Sequence, residues 1–465
     1  MKALFDLVRR NKLFFLLVTI AALVLRLYLV FRFPVIQGDT FIYGDIAKNW
    51  LNHGIYGVSD HALIRPTLIR LPGYPAFLAM VFSIFGQEHY RAAMIIQALI
   101  DTNTCLVIAG IALELSGTRA AKIAYLLAAL CPFTANYTAA PLSEILAIFC
   151  TAHALYYGVR GLKALTAGQT GTLLWLVCGL WIAASIYMRP DDGLVLVPLL
   201  VALLILFLRS LDRAKILSVT AILVAASLLP LVPWTVRNWR TFHIFQPLAS
   251  RYANDPGEFV PMGFNRWVKT WIADYVSTEE VFWHVPGDSL DIDNLPERAF
   301  DSKQQYDQTD ELISDYDLEH DIDREMDQRF AALAAERINH HRFRYYIRLP
   351  FLRVADMWLR PRTELLPIET RWWEFSEHRG ESIFALVCAG LNLALLLAAL
   401  RGWFVTRLGI YGVVLIGFLL LRSAFLGSLE NPEPRYMLEC FPVVLALAGV
   451  AFTKRRPAAG PEQPA

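Results

Sequence analysis

The sequence predicts an all-α polytopic membrane protein of about ten transmembrane helices, with interfacial helices and an extracytoplasmic loop domain. Three observations predict it. The 465 residues are 56% apolar and only 18% charged, with a mean hydropathy of +0.41, which is not the composition of a soluble globular chain. Apolar runs of roughly 20 residues, the length that crosses a bilayer, recur along the chain. Basic residues gather at alternate connections: Arg9, Arg10 and Lys12; Arg119 and Lys122; Arg160 and Lys163; Arg209, Arg213 and Lys215; Arg401 and Arg407; Lys454, Arg455 and Arg456. The positive-inside rule therefore places both termini and these connections in the cytoplasm. A net charge of +1 offers no reason to expect a nucleic-acid partner.

The elements follow in order. The first run, 13–33, is too long for a removable leader and lacks a small-residue cleavage site, so it reads as an anchored helix. An exported loop, 34–91, comes next. In it Asp39, Tyr43 and Ala47 recur at i, i+4 and i+8 on one helix face, Asp45 lies well round from Asp39, and His53-Gly54 marks a turn. Arg65 to Pro75 is a stiff, Pro-rich segment carrying Arg65 and Arg70, and Tyr74 to Phe85 is short enough to lie along the surface. Further crossings are placed at 92–114, 119–135, 141–159, 172–189, 192–208, 216–236, 381–400, 408–425 and 435–453. The stretch from about Arg237 to Arg379 is the only domain-sized polar region. Between Asp288 and Asp327 it holds fifteen acids against three bases, a solvated face. A calcium loop there would need the glycine turn and closing Glu that Asp288–Asn294 lacks. Phe330, Leu333, Ala334 and Ile338 give Arg324 to Arg342 a helical period. Tyr345 to Leu359 carries Arg348, Arg353 and Asp356 and reads as an interfacial helix. The six cysteines all fall in or at the ends of apolar runs, as packing residues. The expected division is an N-terminal transmembrane module 1–239, an extracytoplasmic region 240–380, C-terminal helices 381–456 and a cytoplasmic tail 457–465.

Carboxylates seated at a membrane surface are costly unless they interact with something, so they mark a reaction site. Asp39 suits a general base acting on a hydroxyl, with Asp45 binding substrate or tuning its pKa; the competing reading is a solvated surface helix. Arg70 suits a phosphate through charge-assisted bidentate bonds, or else anchors at headgroups by snorkelling. Polar points recur at the outer ends of later runs: Glu144 after Pro141-Leu142-Ser143, Arg189-Pro190-Asp191-Asp192, Trp234 with Arg237-Asn238-Trp239, and Asn431-Pro432-Glu433-Pro434-Arg435-Tyr436. All face the same side as Asp39 in the predicted topology, which argues for one shared site. No His/Cys set with metal spacing occurs, and His340-His341 reads as interfacial. No cofactor is called for, with a divalent cation left open.

In their order and shared side, Asp39-x3-Tyr43-x3-Ala47, Arg70-x-Pro72-Gly73-Tyr74-Pro75, Leu142-Ser143-Glu144, Arg189-Pro190, Pro233-Trp234-x2-Arg237-Asn238 and Glu433-x-Arg435-Tyr436 resemble the GT-C membrane glycosyltransferases. The likeness is to bacterial relatives of the dolichyl-phosphate-mannose–protein mannosyltransferases and the lipid A aminoarabinose transferase. It runs over almost the whole chain and is weakest in the polar loop. It implies inverting transfer of a hexose or pentose from a polyprenyl-phosphate carrier to a lipid, glycan or protein hydroxyl, outside the cytoplasmic face of a bacterial inner membrane. On that resemblance Asp39 takes the place of the first-loop acid, with Arg70, Tyr74, Glu144, Arg189, Arg237, Glu433, Arg435 and Tyr436 on the donor phosphate or substrate. The family usually shows Asp-Glu where this chain has Asp39-Thr40, so the second carboxylate falls to Asp45. The alternatives are an O-antigen ligase or polymerase, and a transporter or flippase of lipid-linked sugars. A transporter should show repeated halves and mid-span charges.

Overall fold

The computed structural model describes residues 2–453 apart from 62, 210, 211, 374 and 407, and apart from the side chains of 375–377. The basic positions Arg407, Lys454, Arg455 and Arg456 and the expected tail 457–465 lie outside the described residues. The chain forms two compact units. The first takes residues up to Asp255, Leu393–Leu419 and Leu438 onward; the second takes Pro256–Asn392 and Leu420–Met437.

Unit 1 begins with α1 (Lys2–Arg10), α2 (Lys12–Arg32) and α3 (Asp39–His53), then a two-stranded antiparallel hairpin, β1 (Gly57–Asp60) and β2 (Leu63–Pro66). It continues through α4 (Gly73–Phe85), α5 (Tyr90–Ser116), α6 (Thr118–Ala129), α7 (Pro132–Asn136), α8 (Glu144–Thr166), α9 (Thr172–Met188), α10 (Leu196–Arg209), α11 (Arg213–Leu228) and α12 (Val232–Phe242). Seven stretches among the described residues are long and apolar enough to cross a membrane: Lys12–Arg32, Tyr90–Ser116, Glu144–Thr166, Pro190–Arg209, Arg213–Phe242, His378–Val405 and Ile410–Gly427. The other three expected crossings are shorter helices, α6, α9 and α20 (Phe441–Val450), the last preceded by a 3-10 turn over Pro434–Cys440.

Small residues explain how the short α6 is held. Ala120, Ala121, Ala124 and Ala128 are all buried, and a Cβ on Gly449 of α20 would lie 2.7 Å from the Ala124 nitrogen. Lipid offers no hydrophobic drive for helix association, so close backbone approach through such residues is what packs the pair. The same region contains a buried ion pair that the run-by-run reading missed. Arg26 of α2 donates from Nε to Asp101 Oδ2 of α5 at 2.8 Å, and from Nη1 to the Ala129 carbonyl at 2.8 Å. Both side chains are essentially sealed, at 0% and 2% exposure.

Unit 2 is built from α13 (Met262–Val268), α14 (Tyr275–Glu280), α15 (Lys303–Glu319), α16 (Arg324–His340) and α17 (Leu349–Leu359). Helices α18 (Phe375–Val405, bent at His378) and α19 (Ile410–Gly427) continue the chain between α17 and α20. The core gathers Phe264, Trp267, Trp271, Leu312, Tyr316, Phe330 and Leu333, so the apolar period expected from Arg324 onward does face inward. None of the fifteen acids of 288–327 is buried, as their density requires. In α17, Phe351, Leu352 and Leu359 are exposed while Arg353 is buried and donates to the carbonyls of Ile272 (2.8 Å) and Gly427 (3.3 Å). The basic residue that seemed to suit a membrane surface is therefore an internal strut.

Candidate functional site

Helix α3 begins at Asp39, directly after Gly38 at φ +53°, so the carboxylate stands in the first helical turn where the helix dipole favours it. Asp39 Oδ1 accepts from Arg70 Nη2 at 2.7 Å, with the side chains 26% and 20% exposed. The guanidinium of Arg70 also lies 5.9 Å from the Tyr43 ring, and Tyr43 meets Tyr74 edge-on at 5.0 Å. Tyr74 donates to Gln97 Oε1 at 2.6 Å, and Gln97 donates to the Ala140 carbonyl at 2.8 Å. Gly73, between Arg70 and Tyr74 in the Pro-rich segment, is demanded by close approach: a Cβ there would lie 2.5 Å from the Tyr187 carbonyl oxygen. The Tyr43 hydroxyl is pushed up first by burial and then by Asp39, against Arg70; Glu144 raises it further and a hydrogen bond with Ser143 lowers it. One neighbourhood thus brings together Asp39, Arg70, Tyr43, Tyr74 and Glu144.

Glu144, first residue of α8, accepts from Arg189 Nη1 at 3.1 Å. The Arg189 Nε lies 3.6 Å from Asp191 and 3.5 Å from Glu439, and Glu439 is fully buried. One guanidinium thus hydrogen-bonds Glu144 and lies within ion-pair distance of Asp191 and Glu439.

Two further predicted residues are engaged with the segment that follows α3. Asp45 accepts from the Ser59 nitrogen at 2.6 Å and the Ser59 hydroxyl at 2.8 Å, tying the hairpin to α3. Arg237 donates to the carbonyls of Thr67 (2.7 Å) and Tyr56 (2.6 Å) and sits 5.1–5.3 Å from the rings of Trp234, Tyr56 and Phe242. This is a clamp on the backbone that follows α3, above the small core of Ile46, Tyr56, Leu68, Leu71 and Trp234.

The last predicted set belongs to unit 2. Glu433 accepts from Arg435 Nε, from the Tyr436 hydroxyl and, at 3.2 Å, from Asn431 Nδ2. The Arg435 guanidinium lies 5.4 Å from the Tyr436 ring. Arg362 secures this turn by donating to the Pro434 carbonyl at 2.8 Å.

Residues 65–234 match the family described as dolichyl-phosphate-mannose-protein mannosyltransferase. Over 94% of its length the chain also takes the fold of an Archaeoglobus fulgidus oligosaccharyltransferase solved tethered with an acceptor peptide, at TM-score 0.51 and 14% identity. That likeness is one of fold. The chain covers 49% of that archaeal enzyme, about half its length. ArnT from Cupriavidus metallidurans bound to undecaprenyl phosphate gives a TM-score of 0.39 at 14% identity, covering 95% of this chain and 77% of that one. No curated protein matches it by sequence.

The stretch that matches the family contains Arg70, Tyr74, Glu144 and Arg189, whereas Asp39, Arg237 and the Glu433–Tyr436 turn fall outside it. Glu439 was missed altogether. The signal was present: an acid inside the expected last crossing, 435–453, is costly there and so marks a site. Among the described residues, no group of three or more His, Cys, Asp or Glu side chains is arranged to hold a metal ion.

Proposed function

We propose that the chain is an inverting glycosyltransferase that moves a hexose or pentose from a polyprenyl-phosphate carrier to an acceptor hydroxyl on the non-cytoplasmic side of the membrane. The observation that carries the reading is the Asp39–Arg70 pair: a carboxylate and a guanidinium in contact at 2.7 Å, both partly open, on the first loop. Arg70 neutralises the carrier phosphate with its planar fork, and Asp39 takes the proton from the acceptor hydroxyl. The acceptor oxygen attacks the anomeric carbon from the face opposite the phosphate. The bond from that carbon to the phosphate oxygen breaks, and its electron pair leaves with the polyprenyl phosphate. Because a phosphate is a good leaving group only when its charge is countered, fixed cationic donors supply much of the rate. Arg189 holds Glu144, Asp191 and Glu439 in place, and Arg237 fixes the loop backbone. The donor named for the matched family, dolichyl-phosphate-mannose, supports a lipid-phosphate carrier. Both termini face the cytoplasm in this reading.

Incubating the purified protein in nanodiscs with a panel of polyprenyl-phosphate sugars and hydroxyl acceptors tests it. The expected result is a glycosidic product with the anomeric configuration opposite to the donor's. Retention of configuration sinks the single-displacement step. Movement of carrier across the bilayer without any sugar transfer favours a flippase.

A further inference from the structure

Unit 2 contains a cavity of about 640 Å³, within the size range of small-molecule sites. Its wall has an excess of acid: Glu279, Glu280, Glu364, Glu369 and Glu381 face it, with two arginines and one histidine. The arginines are engaged. Arg371 makes a two-bond fork to Glu280 at 2.8 and 2.7 Å. Arg360 lies 4.9 Å from the Tyr275 ring and donates to the Thr370 carbonyl at 2.9 Å. An anion entering here would meet net negative charge and cationic groups already spent. Tyr275 contributes an aromatic wall, set edge-on to Trp283 at 5.5 Å.

Glu364 decides what would fit. Its Oε1 is buried with no hydrogen-bond partner, although the residue lines the cavity. A buried carboxylate oxygen left unsatisfied is costly, and a ligand that supplies a donor recovers that cost. Burial pushes the Glu364 carboxyl up and Arg362 draws it down. The convergent donors of a metal site do not occur among the described residues, so an organic donor is the better match. Aromatic walls stack against the C–H face of a sugar ring, and carboxylates accept from adjacent hydroxyls or an ammonium. Tyr275 also lies within the electrostatic reach of Glu433 and Arg435, which links this wall to the Glu433–Tyr436 turn.

We propose that this cavity is a saccharide-binding site, in which a neutral or amino-bearing sugar stacks on Tyr275 and donates a hydrogen bond to Glu364. Its role as the acceptor's seat rests on the transferase reading; its capacity to hold a sugar does not. The full-length protein in detergent can be probed by saturation-transfer NMR with maltose, glucosamine and glucose 1-phosphate. Maltose or glucosamine should bind and glucose 1-phosphate should not. Glu364→Gln, which keeps the side-chain shape, should weaken the bound sugar about tenfold, the loss expected for a hydrogen bond to a charged group. Tyr275→Leu should weaken it as well. Equal or better binding of glucose 1-phosphate overturns the proposal. So does absence of any sugar signal, or undiminished binding in both variants when their near-UV circular dichroism is that of the parent. Asp39→Asn separates the two readings, since it should slow transfer by about 10²-fold or more and leave sugar binding intact. Sugar binding by a protein that transfers from no carrier would refute the transferase reading alone.

Discussion

Replacing Asp39 with Asn tests the base assignment because the structural and chemical effects differ in size. The Asp39–Arg70 contact is 2.7 Å with the side chains 26% and 20% exposed. With charge centres about 4 Å apart and an effective dielectric of about 20, the raw attraction is about 4 kcal/mol. Solvent screening and side-chain entropy reduce what such partly open pairs contribute to no more than about 1 kcal/mol. Asp39→Asn keeps an oxygen that can accept from Arg70, so melting should fall by only a few degrees, about 2–4 °C per kcal/mol in a large domain. Loss of a general base costs about 10²- to 10⁴-fold in rate, or about 3–5.5 kcal/mol of transition-state stabilisation. Thermal unfolding by intrinsic fluorescence and single-turnover sugar transfer, measured on the same preparation, give the two numbers. A rate within threefold of the parent at unchanged melting temperature would refute the assignment. So would a melting loss large enough to account for the whole rate loss.

Other outcomes follow from the same geometry. Asp45→Asn disturbs the bonds from Ser59 and Asn49 and should lower transfer less than tenfold, at no greater cost than about 1 kcal/mol of stability by thermal melting. Arg237→Lys loses the planar fork on Thr67 and Tyr56 and should destabilise by about 1–3 kcal/mol, with carrier affinity by equilibrium binding unchanged. Burial pushes the Asp356 carboxyl from 3.8 up to about 6, against Arg360 and the bond it accepts from the Tyr275 nitrogen; Asp274 adds to the rise. A raised folded-state value favours the neutral acid, so this contribution is full below about pH 4 and lost as pH rises through 6. Asp356→Asn should therefore match the parent near pH 4 and be the more stable by at most about 3 kcal/mol above pH 7, read from melting temperature against pH. Reporter fusions at Asn265 and Ala459 should report opposite sides of the membrane; the same side for both overturns the topology.

The helix carrying Asp39, Tyr43 and Ala47 was legible because its spacing is a property of neighbours in sequence. The apolar runs were legible for the same reason, since a bilayer imposes length and hydrophobicity together. Asp39 and Arg70 were both assigned to the first exported loop, but their direct contact, and the close approach of Gly73 to Tyr187 beside it, are not revealed by any local pattern. Arg26, Asp101 and Glu439 escaped because one charge barely alters the average over a long apolar run, whereas its partner lies far away in sequence. Arg237 was placed on the donor phosphate because Trp and Pro neighbours suit an interface, and its contacts in the fold could not be read from them. Its carbonyl acceptors, Tyr56 and Thr67, come from a segment some 170 residues earlier. The hairpin of Gly57–Pro66 was hidden by its four-residue strands, too short for alternation to show.

The Arg26–Asp101 contact also has a consequence for how the chain is made. Residue 26 leaves the ribosome 75 positions ahead of residue 101, so α2 reaches the bilayer before its counter-charge has been synthesised. A lone guanidinium near the centre of an inserting helix costs about 2.5–3.5 kcal/mol, which the rest of an apolar helix can carry but does not cancel. Until α5 arrives, α2 is best accommodated beside water, headgroups or the insertion machinery. Once Asp101 is in place, separating the two helices again would strand both charges in hydrocarbon. Synthesis order thereby makes the first docking of helices hard to reverse, and a chain with Asp101→Leu should dwell longer with the insertion machinery before its N-terminal helix settles.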